Sequence, residues 1–128
     1  MARIKILLID DEADFSGIMR MRLEDWGYDV AEANTGKDAI STIKGGGVDI
    51  ILLDYVMPDM DGITILKEIR KMKNKTPVII FTAFPGMKSI KGAEGLGISA
   101  VIPKLSVYQD TKAILGSAIE SIVKELRK

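Results

Sequence analysis

Two periods of hydrophobicity alternate along this chain. Short apolar runs, Ile6-Leu7-Leu8-Ile9, Ile50-Ile51-Leu52-Leu53, Val78-Ile79-Ile80-Phe81 and Ala100-Val101-Ile102, are separated by stretches in which apolar residues recur every three or four positions. Unbroken β-branched runs suit strands buried on both faces, and their alternation with helical patterns is the signature of a parallel sheet covered by helices. The pattern repeats five times and predicts a doubly wound (βα)5 α/β fold, with strands at about residues 4–9, 29–33, 48–53, 77–81 and 99–102.

The intervening helices show their core faces. Phe15, Met19, Leu23 and Trp26 share one side of the first, and Ile65, Leu66, Ile69 and Met72 one side of the third. Thr35 three residues before Asp38 reads as a helix start, and Gly27 as a helix stop. Ser106 with Gln109 forms a capping box for the last helix. Its apolar stripe, Ile114, Leu115, Ala118, Ile119, Ile122, Val123 and Leu126, is wider than a coiled-coil seam and leaves part free for a partner. The fourth helix, near residues 86–95, contains Gly86, Gly92 and Gly95 and has the weakest helical pattern.

Composition narrows the chemistry. A chain of 128 residues fits one domain with a full core, and 47% apolar with 28% charged residues is ordinary for a soluble protein. A formal net charge of zero gives no general pull toward nucleic acid or anionic lipid. There is no cysteine and no histidine, so chemistry must run on carboxylates, lysine and hydroxyls. The N-terminal apolar run is stopped by Asp10-Asp11-Glu12, too soon for a signal peptide, and no run approaches the ~20 residues of a membrane span. A cytoplasmic location is expected.

Each of the four apolar runs leads to a polar residue: Asp10 and Asp11, Asp54, Thr82 and Lys104. Open parallel sheets bind ligands beyond the carboxyl ends of their strands, so these five side chains are expected to converge. Three carboxylates repel one another unless a cation joins them, and a hard divalent ion such as Mg²⁺ (or Mn²⁺) accepts oxygen ligands while leaving room for water and a phosphate. Helix capping explains one of Asp10 and Asp11, but not the whole set. Asp59-Met60-Asp61-Gly62 fails as a calcium loop because Met57 takes its first ligand position, and Gly36-Lys37 fails as a phosphate loop because Asp38 follows. The basic stretch Lys67, Arg70, Lys71, Lys73 and Lys75 reads as the solvated end of a helix.

The segment Leu53-Asp54-Tyr55-Val56-Met57-Pro58-Asp59-Met60-Asp61-Gly62, set behind the Asp10-Asp11 pair and combined with Thr82, Lys104 and Gly97, resembles the receiver domains of two-component response regulators, in their chemotaxis-regulator-like form. The resemblance covers the whole chain as a single receiver domain, residues 1–128, and implies a flavodoxin-like sheet of strand order 2-1-3-4-5. It makes Asp54 the phosphoacceptor, taking a phosphoryl group from a phosphohistidine on a histidine kinase or histidine phosphotransfer domain. Asp11 binds Mg²⁺ directly and Asp10 mostly through water, with Asp54 and the Val56 backbone carbonyl as further ligands. Lys104 pairs with a phosphoryl oxygen, and Thr82 swings in to bond another.

The resemblance implies a phosphorylation-operated switch that signals to an output protein or domain, or a shuttle that passes the group onward. A kinase-facing rim of Asp14, Phe15, Ile18, Phe84 and Leu105 is expected, as is slow phosphate loss because Val56 and Phe84 cannot orient water. A homodimer through the faces of the fourth and last helices is a further option. Two positions depart from the family pattern: Leu105 replaces the usual cis proline, predicting a trans Lys104-Leu105 peptide, and Val101 replaces the usual aromatic reporter. The signal is therefore expected to travel through an order change in the fourth helix. The alternatives are a Mg²⁺-dependent aspartate-nucleophile phosphatase, whose Asp-x-Asp pattern is missing from Ile9-Asp10-Asp11-Glu12, and an interaction module that ignores phosphorylation.

Overall fold

The computed structural model describes residues 3–54, 62–82, 95–103 and 112–127. Five parallel strands, β1 (Lys5–Ile9), β2 (Asp29–Ala33), β3 (Ile50–Asp54), β4 (Val78–Thr82) and β5 (Ile98–Pro103), form one sheet in the order β2-β1-β3-β4-β5. That is the expected flavodoxin-like order. Side chains alternate across a strand, and the sheet uses both sides. Leu7, Ile9, Ile51, Leu53, Val78 and Ile80 pack on one face with Ala39 and Ile43 of α2 (Gly36–Lys44) and Ile65, Leu66 and Ile69 of α3 (Gly62–Lys71). Ile6, Leu8, Ile50, Leu52, Ile79 and Phe81 pack on the other with Met19 and Leu23 of α1 (Ala13–Asp25) and Leu115, Ile119, Ile122 and Val123 of the last helical segment. Each side chain of this size, fully withdrawn from water, contributes about 1.5–3 kcal/mol.

Local signals set the ends of the elements. The Thr35 hydroxyl accepts the Asp38 N–H at 3.1 Å and starts α2. Gly27, at φ +99°, stops α1, with the Gly27 N–H donating to Glu24 and the Tyr28 N–H to Leu23 in a Schellman arrangement. At β3, regular pairing begins two residues later than the apolar pattern suggests. There the Asp49 side chain accepts the Lys5 N–H at 2.9 Å while the Asp49 N–H donates to the Lys5 carbonyl. Residues 112–116 wind as a single π-type stretch before the last helix, Ser117–Leu126. Along the expected stripe Leu115, Ile119, Ile122 and Val123 are buried, whereas Ile114 and Leu126 are exposed. Among the described residues no helix is long and apolar enough to cross a membrane. The helix expected near 86–95 and the Ser106–Gln109 cap lie outside the described residues.

The basic stretch needs a correction. Lys67, Lys71, Lys73 and Lys75 are exposed as expected, but Arg70 is not simply solvated. Its guanidinium donates to the carbonyls of Leu96, Asn74, Thr76 and Gly97, and burial pulls its pKa below the ordinary arginine value. It joins the end of α3 to the start of β4 and to the turn that enters β5.

Candidate functional site

The site grows from the pairing of β1 with β3. Ile9 lies beside Leu53 in the parallel register, and the next residue on each strand is an aspartate. Asp10 is fully buried and Asp54, the last residue of β3, is 4% exposed. Oxygens of Asp10, Glu12 and Asp54 all lie within 4.8 Å of one another. Two buried carboxylates and one at the mouth form a strong negative focus at the carboxyl end of the sheet. Like charges this close destabilise one another, and a bound cation relieves that repulsion. The donors are all hard oxygens, which suits Mg²⁺ or Mn²⁺ and does not suit a soft metal.

Backbone hydrogen bonds hold this geometry. The Asp10 N–H donates to the Ala33 carbonyl at 3.1 Å, and the Asn34 side chain donates to the Asp10 carbonyl at 2.9 Å, so the end of β2 clamps Asp10 from one side. Asp10 Oδ1 accepts the Glu12 N–H at 2.9 Å. This is a local side-chain turn of the kind aspartate favours, and it leads the chain into α1, where the Ser16 N–H donates to the Glu12 carbonyl at 2.9 Å. Beneath the site, the Phe15 ring packs on Phe81 of β4 with centroids 5.4 Å apart.

The structure thus brings together Asp10 and Asp54 of the expected set. Asp11 is exposed and is not a member of the 4.8 Å group. Glu12 is a member of that group, a residue that the strand-end pattern did not single out. Thr82 ends β4, in register with Pro103 of β5, so its position at the site edge of the sheet follows while its side chain lies outside the described residues. Val56, Phe84, Lys104 and Leu105, and with them the Lys104-Leu105 peptide, also lie outside the described residues. Of the proposed rim, Asp14 and Ile18 are exposed on α1, and Phe15 is partly buried against Phe81.

A second polar cluster spans two elements, which hides it from any pattern within one of them. The buried Ser16 hydroxyl donates to Glu32 of β2, and the Arg20 guanidinium bonds both Glu32 at 3.0 Å and Glu24 at 3.1 Å. The Ser16 hydrogen bond, then the Arg20 charge, hold the Glu32 carboxyl below the usual glutamate range, and burial works against them. Arg20 is correspondingly raised, first by Glu32 and then by Glu24.

A five-stranded parallel sheet of this order, with a buried acidic pair at the ends of two adjacent strands, is the flavodoxin-like architecture of α/β signalling domains. The chain belongs to the response regulator receiver domain family, whose profile matches residues 6–115. It is 34% identical over 116 residues to the transcriptional regulatory protein ZraR of Escherichia coli K12, an alignment covering 91% of this chain and 26% of that protein. A two-component response regulator from Clostridium difficile superposes with a TM-score of 0.86 at 27% identity, covering 98% of this chain and all of that one. The response regulator TrrA of Thermotoga maritima, solved in complex with Mg²⁺–BeF, superposes with a TM-score of 0.81 over 93% of this chain and 98% of its own, at 24% identity. The chain spans about a quarter of the length of ZraR. Receiver domains are signalling domains, which bind Mg²⁺ at an acidic pocket and interact with histidine kinases and output domains.

Proposed function

We propose that residues 1–128 act as one receiver unit that accepts a phosphoryl group on Asp54 from a histidine kinase or histidine phosphotransfer domain. The observation that carries this reading is the placement of Asp54: 4% exposed, at the end of a central strand, within 4.8 Å of Asp10 and Glu12, in a chain of receiver-domain sequence. An Asp54 oxygen attacks phosphorus as the P–N bond to the donor imidazole breaks, and the electron pair leaves with that nitrogen. Bound at this site, Mg²⁺ or Mn²⁺ would neutralise the carboxylates and the incoming phosphoryl oxygens, the main requirement of such transfers. Asp10, held by Ala33, Asn34 and the Glu12 N–H, keeps a fixed carboxylate beside the acceptor. In this reading Asp11 and the Val56 carbonyl add ligands, and Lys104 and Thr82 bind the transferred group.

Kinase docking on this reading uses the rim beside α1, where exposed Asp14 and Ile18 flank the site, and signalling to an output partner follows from the movement of Thr82. A homodimer would use the exposed Ile114 and Leu126 of the last helical segment. The deciding experiment is intact-protein mass spectrometry after exposure to acetyl phosphate. One phosphoryl adduct is expected with Mg²⁺, none with chelator, and none in Asp54→Ala. An adduct that forms without a divalent ion, or that survives Asp54→Ala, would overturn the assignment.

A further inference from the structure

We propose that the groove between the end of α3 and the turn entering β5 is a binding site for a small polyanion, a molecule bearing phosphate or carboxylate groups. Arg70, Lys75, Gly95, Leu96 and Gly97 line it, around a volume of about 350 Å³. It lies at the opposite end of the sheet from Asp54, because residues 74–77 lead into β4 and residues 95–97 into β5. A ligand there is bound independently of the acidic group and of its phosphorylation.

The charges lining the groove lack partners. Arg70 is half-buried, and its four hydrogen bonds all go to backbone carbonyls, which supply partial charge but no counter-ion. Among the described residues the ion pairs are Arg3–Asp29, Arg20–Glu24, Arg20–Glu32 and Lys71–Glu68, so neither Arg70 nor Lys75 meets a carboxylate. Burial lowers the Arg70 pKa with nothing acidic to offset it. The cluster at Asp54 is too far to serve, since a five-residue strand spans about 16 Å and the screening length at physiological ionic strength is roughly 8 Å. A cation drawn out of water without a counter-ion is costly, and an anion in the groove removes that cost.

The geometry leaves room for one. A guanidinium has five N–H groups, and the four bonds leave one of them on Nη2 without a protein acceptor. Gly97 keeps that side open, because a Cβ there would stand 3.2 Å from Nη2. The same clamp fixes Lys75, whose neighbours Asn74 and Thr76 both give their carbonyls to Arg70 Nη1. Exposed Lys67, Lys71 and Lys73 extend the positive field, with Glu68 the single acid between residues 67 and 75, which favours a ligand of more than one negative charge. Leu96 and the lysine and arginine stems form the apolar wall that small-molecule sites commonly have.

The test is a titration of the metal-free full chain at low ionic strength with inorganic pyrophosphate and, separately, with citrate, read by the NMR shifts of backbone amides. Saturable shifts at residues 74–76 and 95–97 are expected with at least one probe, and the tighter of the two identifies the anionic group. Lys75→Gln, whose fold is checked by a thermal melt, should weaken binding by about three- to fivefold, the loss of one ion pair. Lys37→Gln removes an exposed lysine at the start of α2 and should leave the affinity unchanged. No shift at these amides with either probe at millimolar concentration overturns the proposal. So does wild-type affinity in Lys75→Gln, or equal weakening in Lys37→Gln, which marks diffuse attraction to lysines. Each of these failures leaves the receiver reading standing.

Discussion

Arg70 Nε donates to the Leu96 carbonyl at 2.6 Å, the shortest of four bonds by which one side chain of α3 holds two separate stretches of backbone, 74–76 and 96–97. The planar fork matches acceptors that lie in different directions, and lysine has no equivalent geometry. Arg70→Lys is expected to destabilise the protein by about 2–4 kcal/mol, because hydrogen bonds to a charged donor contribute about 1.5–3 kcal/mol and several acceptors lose theirs together. Gly97 sits under the same guanidinium, at φ +77°, where an added Cβ would stand 3.2 Å from Arg70 Nη2. Gly97→Ala should therefore cost about 1–2 kcal/mol from backbone conformation and crowding. Urea denaturation of both single variants and the double variant checks this, and the double loss should be smaller than the sum because the two residues touch.

The Ser16–Glu32–Arg20 cluster makes stability depend on acid. The folded state holds the Glu32 carboxyl below its ordinary range, so its contribution is complete above the unfolded glutamate pKa and fades as pH falls through the lower, folded value. Glu32→Gln should be less stable than wild type near neutrality by about 1 kcal/mol, with the difference shrinking on acidification below about pH 4. Denaturant titrations at several pH values measure it. A gap that stays constant to about pH 3 would contradict the role given to this carboxylate.

Lys73 ends α3 in the left-handed conformation, at φ +59°, with its N–H bonded to the Arg70 carbonyl at 3.0 Å. Glycine is the ordinary occupant of such a position. Lys73→Gly removes a strain of about 1–2 kcal/mol and gives part of it back as unfolded-chain entropy, so a net gain of about 0.5 kcal/mol is expected from thermal or denaturant unfolding.

Replacing Asp54 by Asn keeps its shape and removes one of the three carboxylates that share this site, and with it most of the site's pull on a divalent ion. Adding Mg²⁺ should raise the wild-type melting temperature and leave that of Asp54→Asn nearly unmoved. If the ion stabilises both equally, it binds elsewhere.

The legible parts of this protein share one property: their neighbours in space are announced by neighbours in sequence. The runs before Asp10 and Asp54 are unbroken because β1 and β3 are covered on both faces, and a polar residue ending such a run stands out. Glu12 did not stand out, because its place beside Asp10 and Asp54 follows from a turn in which its N–H bonds Asp10, a backbone feature that no residue pattern records. Arg70 looked like one more cation at a helix end because its partners are carbonyls 4 to 27 residues away, which no side-chain pattern records. Glu32 lay in a five-residue strand, and its pairing with Ser16 and Arg20 depends on how α1 crosses β2.

That strand, β2, is also one outer edge of the sheet. An edge strand offers its unpaired N–H and C=O groups to any other extended chain, and charged side chains along it are a common safeguard. β2 holds two, Asp29 paired with Arg3 at 3.4 Å and Glu32 paired with Arg20 at 3.0 Å. Ser16 and Arg20 hold the Glu32 carboxyl below the usual glutamate range, so the edge keeps this charge further into acid than a free glutamate would. The side chains that guard this edge against a second copy are tied down by Arg3 and Arg20, apart from the acidic group at the carboxyl end of the sheet.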